Sequence, residues 1–256
     1  MLVDTHAHLF SEKYDENKVE SIVNNMKTDN LDKIIAASAS MEDCYKNVEI
    51  AKKYDNVYCT LGVHPEVINE LDEKALDEIK LLSQFSKVVA IGEIGLDYHM
   101  ENFDKQKQID GFLKQVELAH NLKLPIVIHL RDASMDMLKI IKENIHLFEY
   151  GFDIHCCSES VEIVKELLKL GAYFSFTGNI TFKNAKKAIE VIDFLPLNRI
   201  MTETDSPYMS PEPFRGRLNE PKNVKYVLEK IAQIKNIEKI ELDKIIRENV
   251  RNFYKI

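Results

Sequence analysis

Eight short apolar runs recur along this chain at intervals of roughly 20 to 40 residues, each followed by a polar stretch with helical spacing. The runs are Leu2–His6, Lys33–Ser38, Val57–Leu61, Val88–Glu93, Pro125–His129, Gly151–His155, Ala172–Phe176 and Arg199–Glu203. Strands that alternate with helices read as parallel, because each helix carries the chain back to start the next strand on the same side. A doubly wound open sheet fits the alternation too. Eight units in 256 residues favour closure, so the expected fold is an α/β, single (β/α)8 TIM-type barrel spanning residues 1–256.

The helical stretches carry their own signals. Ile109, Phe112, Leu113, Val116 and Ala119 fall on one helical face and predict a buried side there. Pro125 opens the next strand, where its missing N–H costs little. Val224, Val227, Leu228 and Ile231 repeat the spacing after Asn219-Glu220-Pro221, which reads as a cap followed by proline in the first turn. A further helix from about residue 241 to 253 gives the barrel extra C-terminal helices. No Ser/Gly-rich linker or low-complexity tract interrupts the rhythm.

Charge sets a limit on partners. The formal net charge is −8, and only six of the 34 basic residues are arginine. Two bound dications would leave the chain acidic, so a polyanion must be held by a local site rather than by a broad basic face. Cys44, Cys59, Cys156 and Cys157 form no CxxC pair or zinc-ribbon spacing, and read as reduced cytoplasmic thiols. Cys156 follows His155, but strand alternation points neighbours to opposite faces, so it is not expected to be a ligand. The opening Met-Leu-Val-Asp-Thr-His lacks a basic leader and a long apolar run. No leader, membrane span or obligate protein partner is expected.

Barrel chemistry sits at the C-terminal ends of the strands, and here those ends share a composition. The first run ends in His6-Ala7-His8, the fourth in Glu93, the fifth in His129, the sixth in His155, and the eighth runs into Asp205. Any one histidine at a strand end is ordinarily a hydrogen-bonded structural residue. His-x-His is stronger, because both imidazoles face one side and can share a metal. The conjunction of four imidazoles and two carboxylates from separate strands points to two divalent metals sharing a carboxylate, an arrangement able to hold a bridging hydroxide. Imidazole-rich ligation favours Zn or Mn over Mg, with all three open.

Ordered motifs extend this. Asp4-Thr5-His6-Ala7-His8-Leu9, Gly62-Val63-His64-Pro65 and Gly92-Glu93-Ile94-Gly95-Leu96-Asp97-Tyr98 resemble the TatD family of metal-dependent deoxyribonucleases. So do Leu124-Pro125-Ile126-Val127-Ile128-His129-Leu130-Arg131, His155-Cys156, Thr202-Glu203-Thr204-Asp205-Ser206-Pro207-Tyr208, and Arg215-Gly216 with Asn219-Glu220-Pro221. The resemblance implies a first metal site of His6, His8, Glu93 and Asp205, with Glu93 bridging to a second held by His129 and His155. It implies that Asp205 orients the attacking hydroxide and accepts its proton, so Glu93 and Asp205 are the catalytic carboxylates. His64 is similar to the family's phosphate-facing histidine, and Arg131 suits a second phosphate contact.

The loop His155-Cys156-Cys157-Ser158-Glu159 departs from the family's usual His-Cys-Phe-Ser/Thr-Gly, which bears on rim shape rather than on the ligand. Glu203 shares the inward face with Asp205 and is expected to support a ligand imidazole. Asp153 shares a face with His155, and two readings are open: a partner for a ligand imidazole, or a satisfied buried carboxylate. Tyr98, Tyr208 and Phe10 lie near the rim in sequence, either to stack on bases or simply to pack.

The resemblance implies hydrolysis of phosphodiester bonds in DNA, from a 3′ end or on single strands. The same ligand set serves an amide or ester hydrolase, including one that deacylates mischarged transfer RNA. A non-enzymatic barrel predicts ligand positions drifted to inert residues, and none has drifted.

Overall fold

Each apolar run forms a strand in the computed structural model, which describes residues 1–99 and 101–256. The strands are β1 (Leu2–Ala7), β2 (Leu31–Ala36), β3 (Val57–Leu61), β4 (Val88–Asp97), β5 (Ile126–Arg131), β6 (Phe152–Ile154), β7 (Tyr173–Phe176) and β8 (Ile200–Thr202). They pair in parallel in chain order, β1 through β8. Between them run α1 (Glu16–Asn24), α2 (Met41–Lys53), α3 (Glu73–Leu82), α4 (Lys105–Leu122), α5 (Ser134–Glu143), α6 (Val161–Lys169) and α7 (Lys186–Phe194). After β8 come the extra helices α8 (Val224–Lys235) and α9 (Lys239–Tyr254), which pack against β8 and β1. Among the described residues no helix is long and apolar enough to cross a membrane.

The barrel is nearly closed, and its last seam is built differently from the rest. Among the described residues β8 and β1 share no ladder beyond the single bridge of Ala7 with Ser206. Two backbone bonds join the strand ends, Asp205 N–H to His6 C=O at 2.9 Å and His8 N–H to Ser206 C=O at 2.7 Å. Deeper in, side chains do the joining. The Asp4 carboxylate accepts from Thr204 N–H at 2.8 Å and from Thr204 Oγ1 at 2.6 Å, and Thr5 Oγ1 donates to Thr202 C=O at 3.1 Å. This seam locks the His-x-His strand to the loop carrying Asp205. Asp4 is fully buried and also accepts from His6 N–H at 3.3 Å, so Asp4→Ala strands three buried donors. We expect it to cost about 3 kcal/mol in denaturant unfolding. A loss under about 1 kcal/mol would show that the remaining bonds close the seam without Asp4.

Helix α4 turns its expected face to the core but buries it unevenly. Phe112, Val116 and Ala119 are fully buried, while Ile109 and Leu113 are only partly so. Gln108 and Gln115 take the deeper positions. Their amides satisfy backbone at two strand exits: Gln115 pairs with Val63 N–H and C=O at 2.8 and 3.1 Å, and Gln108 pairs with Asp97 N–H and C=O at 2.9 Å each. Buried backbone polar groups need partners, and that need outweighed apolar periodicity.

Asn219 is also placed otherwise than expected. A short 3-10 turn, Pro221–Asn223, precedes α8, and Asn219 does not cap it. Its amide donates to Thr204 and Tyr208 carbonyls at 3.0 and 2.7 Å, bracing the loop that follows β8.

Candidate metal centre

Glu93 lies at the middle of the strand ends, 2% exposed, with a different pair of imidazoles nearest each oxygen. Oε2 lies 3.2 Å from His6 Nε2 and 3.4 Å from His8 Nε2. Oε1 lies 2.7 Å from His129 Nδ1 and 3.4 Å from His155 Nε2. Asp205 Oδ1 adds a second carboxylate, 3.3 Å from His8 Nε2. All six residues singled out as candidate ligands therefore meet in one place, the imidazoles divided between the two oxygens of the Glu93 carboxylate.

The donor set fits metal ions on its own chemistry. His6 Nε2 and His8 Nε2 are 3.2 Å apart and both aim at one carboxylate oxygen. Neighbouring lone pairs at that separation repel unless a proton or cation lies between them. The His6 and His155 rings stack with centroids 3.7 Å apart, which crowds further nitrogen donors around the same carboxylate.

The carboxylates set the charge of the imidazoles. Burial alone would push His155 down, but Glu203 and Glu93 together raise it to about 10. Burial works the same way on His129, and Asp97 with Glu93 raises it to about 9. Glu93 itself is pushed up by burial, yet His155 and His6 outweigh this and hold it well below the usual carboxylate range. Asp205 is likewise held ionised, burial being offset by His8 and the other imidazoles.

Supporting carboxylates flank the ring nitrogens that face away from Glu93. Glu203 Oε1 lies 2.8 Å from His155 Nδ1 and accepts from Cys156 N–H at 2.8 Å. Asp97 Oδ2 lies 2.9 Å from His129 Nε2. Asp97 belongs to the Gly92–Tyr98 motif, where the sequence alone marks no task for it. Among the described residues Asp153 makes no hydrogen bond or ion pair with an imidazole; it is buried and accepts from Ser175 Oγ at 2.7 Å. Burial, then Glu203, raise its carboxyl to about 8.

A cavity of about 330 Å³ adjoins the centre, lined in part by His8, Phe10, His64, His129, Arg131, Asp205 and Tyr208. His64 Nδ1 accepts from Glu66 N–H at 3.2 Å. That fixes the ring proton on Nε2, which lies 3.7 Å from Glu93 Oε1. Burial, then neighbouring His129, lower His64 to about 3, so it is a neutral donor facing the cavity. Tyr208 is at the rim, its hydroxyl 3.2 Å from Ser11 Oγ and Lys13 Nζ 4.2 Å above its ring. Tyr98 is elsewhere: its ring stacks on Phe103, its hydroxyl donates to Asp136 at 3.0 Å, and it does not line the cavity. A larger groove of about 810 Å³ beside Leu197 and Lys239 has no histidine in its lining.

Cys156 corrects the alternation argument. Strand β6 ends at Ile154, and Cys156 turns at φ +46°. Its Sγ lies within 4.8 Å of donor atoms of His155 and Asp205 rather than on the opposite face.

Known proteins carry the same arrangement of chain. The family model described as TatD related DNase matches residues 3–255. A metal-dependent hydrolase of Bacillus subtilis, YabD, is 41% identical over the full length of both chains. One from Methanocaldococcus jannaschii is 37% identical, covering 99% of this chain and 96% of its own. Among solved structures, a TatD family hydrolase from Entamoeba histolytica superposes with a TM-score of 0.88 at 28% identity, covering 99% and 97% of the two chains. A TatD homologue from Escherichia coli reaches 0.93 at 24% identity over 100% and 98%, a likeness of fold. With relatives of this identity along its whole length, the chain belongs to the TatD family of metal-dependent hydrolases.

Proposed function

We propose that this protein is a DNA phosphodiesterase acting from 3′ ends or on single strands, with two divalent metals, Mg, Mn or Zn, at the Glu93 centre. The observation that carries this is the division of Glu93, one oxygen toward His6 and His8 and the other toward His129 and His155. When bound, the metals would supply the Lewis acidity that activates water and offsets charge on a phosphoryl transition state.

The chain's own groups do the rest. Asp205, held ionised in the cavity lining, orients the attacking water and accepts its proton. His64, a neutral donor through Nε2, and the Arg131 guanidinium at the cavity wall hold phosphate oxygens. Tyr208 and Phe10 at the rim offer faces for an unpaired base, and Glu203 keeps His155 oriented from below.

The test uses purified protein loaded with Mn, Mg or Zn, 3′- and 5′-labelled oligonucleotides, and a panel of esters, amides and aminoacyl-transfer RNA. Shortening of single strands from the 3′ end, absent in His129→Ala, is expected. Faster turnover of an amide or ester than of DNA overturns the phosphodiester reading in favour of the carbonyl one, toward which the net charge of −8 leans. Local phosphate contacts also predict a shallow salt dependence, with log affinity for single strands falling against log salt with a slope of about −2. A slope near −6, implying eight or more neutralised phosphates, contradicts a site this small.

A further inference from the structure

His129 and His155 turn opposite nitrogens toward Glu93, Nδ1 from His129 at 2.7 Å and Nε2 from His155 at 3.4 Å. Each has a carboxylate on its other nitrogen. Glu203 faces Nδ1 of His155, and Asp97 faces Nε2 of His129. A neutral imidazole carries one N–H, and a carboxylate beside one nitrogen holds the proton there, leaving the lone pair on the other.

We propose that Asp97 is the positioning residue of the second metal site, its carboxylate fixing His129 with the proton on Nε2 so that Nδ1 is the ligating nitrogen. The inference rests on the two-metal reading above. The geometry around Asp97 suits a rigid anchor. Its side chain is 1% exposed; Oδ2 faces His129 while Oδ1 accepts from His99 N–H at 2.9 Å. Its backbone N–H and C=O are both clamped by the Gln108 amide. Strand β4 carries it past Glu93 in register with β5, Gly95 opposite His129 and Asp97 opposite Arg131. Asp97, Glu93 and His129 are thus fixed relative to one another by one pair of strands. A carboxylate partner also raises the basicity of the ligating nitrogen, and loss of such a partner ordinarily weakens metal binding by about 10- to 100-fold.

Metal titration of chelator-stripped protein tests this without any substrate. Wild type, Asp97→Ala and Asp97→Asn are titrated with Zn or Mn by calorimetry, and zinc-loaded, ¹⁵N-histidine-labelled samples are followed by imidazole NMR. The expected result is two sites in wild type, one of them weakened about 10- to 100-fold in Asp97→Ala and the other unchanged. Asp97→Asn keeps the shape but offers one acceptor oxygen to the two donors, His129 Nε2–H and His99 N–H, and no charge, so the same site is expected to weaken there as well, which serves as the test should the alanine variant fail to fold. A His129 Nε2–H signal protected from exchange is expected in wild type and lost in Asp97→Ala. Two unchanged sites in both variants, with that signal intact, overturn the role of Asp97 and leave the two-metal reading standing. A wild type that binds one metal or none overturns both.

Discussion

Glu93→Ala is expected to lower metal-dependent hydrolysis on the order of 10⁴-fold, more than any other single change in the centre. The reason is its geometry. His6 and His8 face one oxygen of Glu93, His129 and His155 the other, so alanine takes a donor from both halves at once. Loss of His8 removes a donor from one half only. The charge balance fails too, because Glu93 is the carboxylate that His155 and His6 hold ionised; without it, the crowded imidazoles face one another with less to offset a proton. Glu93→Gln keeps shape and one acceptor oxygen but no charge, and should recover folding more than activity. Metal content after gel filtration gives the direct reading. Wild-type metal retention with activity reduced less than tenfold in Glu93→Ala would falsify a bridging role for this residue.

The parts of this centre that were legible in the sequence share one property: they follow from where a strand ends. His6, His8, His129, His155 and Asp205 stand at or just beyond the ends of apolar runs, and barrel geometry gathers such positions at one rim. What was not legible depends on relations between strands. The apolar run reads as Val88–Glu93. In the structure the chain pairs on to Asp97, with a register shift between Ile91 and Ile94. That shift puts Asp97 beside His129, and no count along a single strand contains it. Cys156 was misread for a related reason: alternation holds only while the chain is extended, and a turn at φ +46° breaks it. Gln108 and Gln115 were visible as polar residues seven apart on an apolar helix face, a signal that such side chains answer buried backbone at strand exits.

Gly95→Ala should produce the largest loss of stability of any single methyl added to this chain. Gly95 sits on β4 directly across from His129 on β5. A Cβ built there meets the His129 carbonyl oxygen at 1.9 Å, its carbonyl carbon at 2.8 Å and its nitrogen at 3.0 Å. All three are backbone atoms of a paired strand, so no rotamer change relieves the clash; β4 and β5 must part. Adding a methyl to packed interior typically costs 1–3 kcal/mol, occasionally more, and displaced ladder bonds add to it. We expect about 4 kcal/mol, a drop in Tm on the order of 10 °C. The consequence reaches the site, because the residue pushed away is a metal ligand in the proposed centre and Asp97 lies two positions along the displaced strand. Metal affinity should fall with stability. Gly171→Ala is the control: it has a positive φ of +95° but nothing within 4 Å of its added Cβ, so it carries backbone strain alone and should leave metal binding unchanged. Equal losses in the two variants, in unfolding and in metal titration, would mean that the close approach of β4 to β5 is not what holds His129 in place.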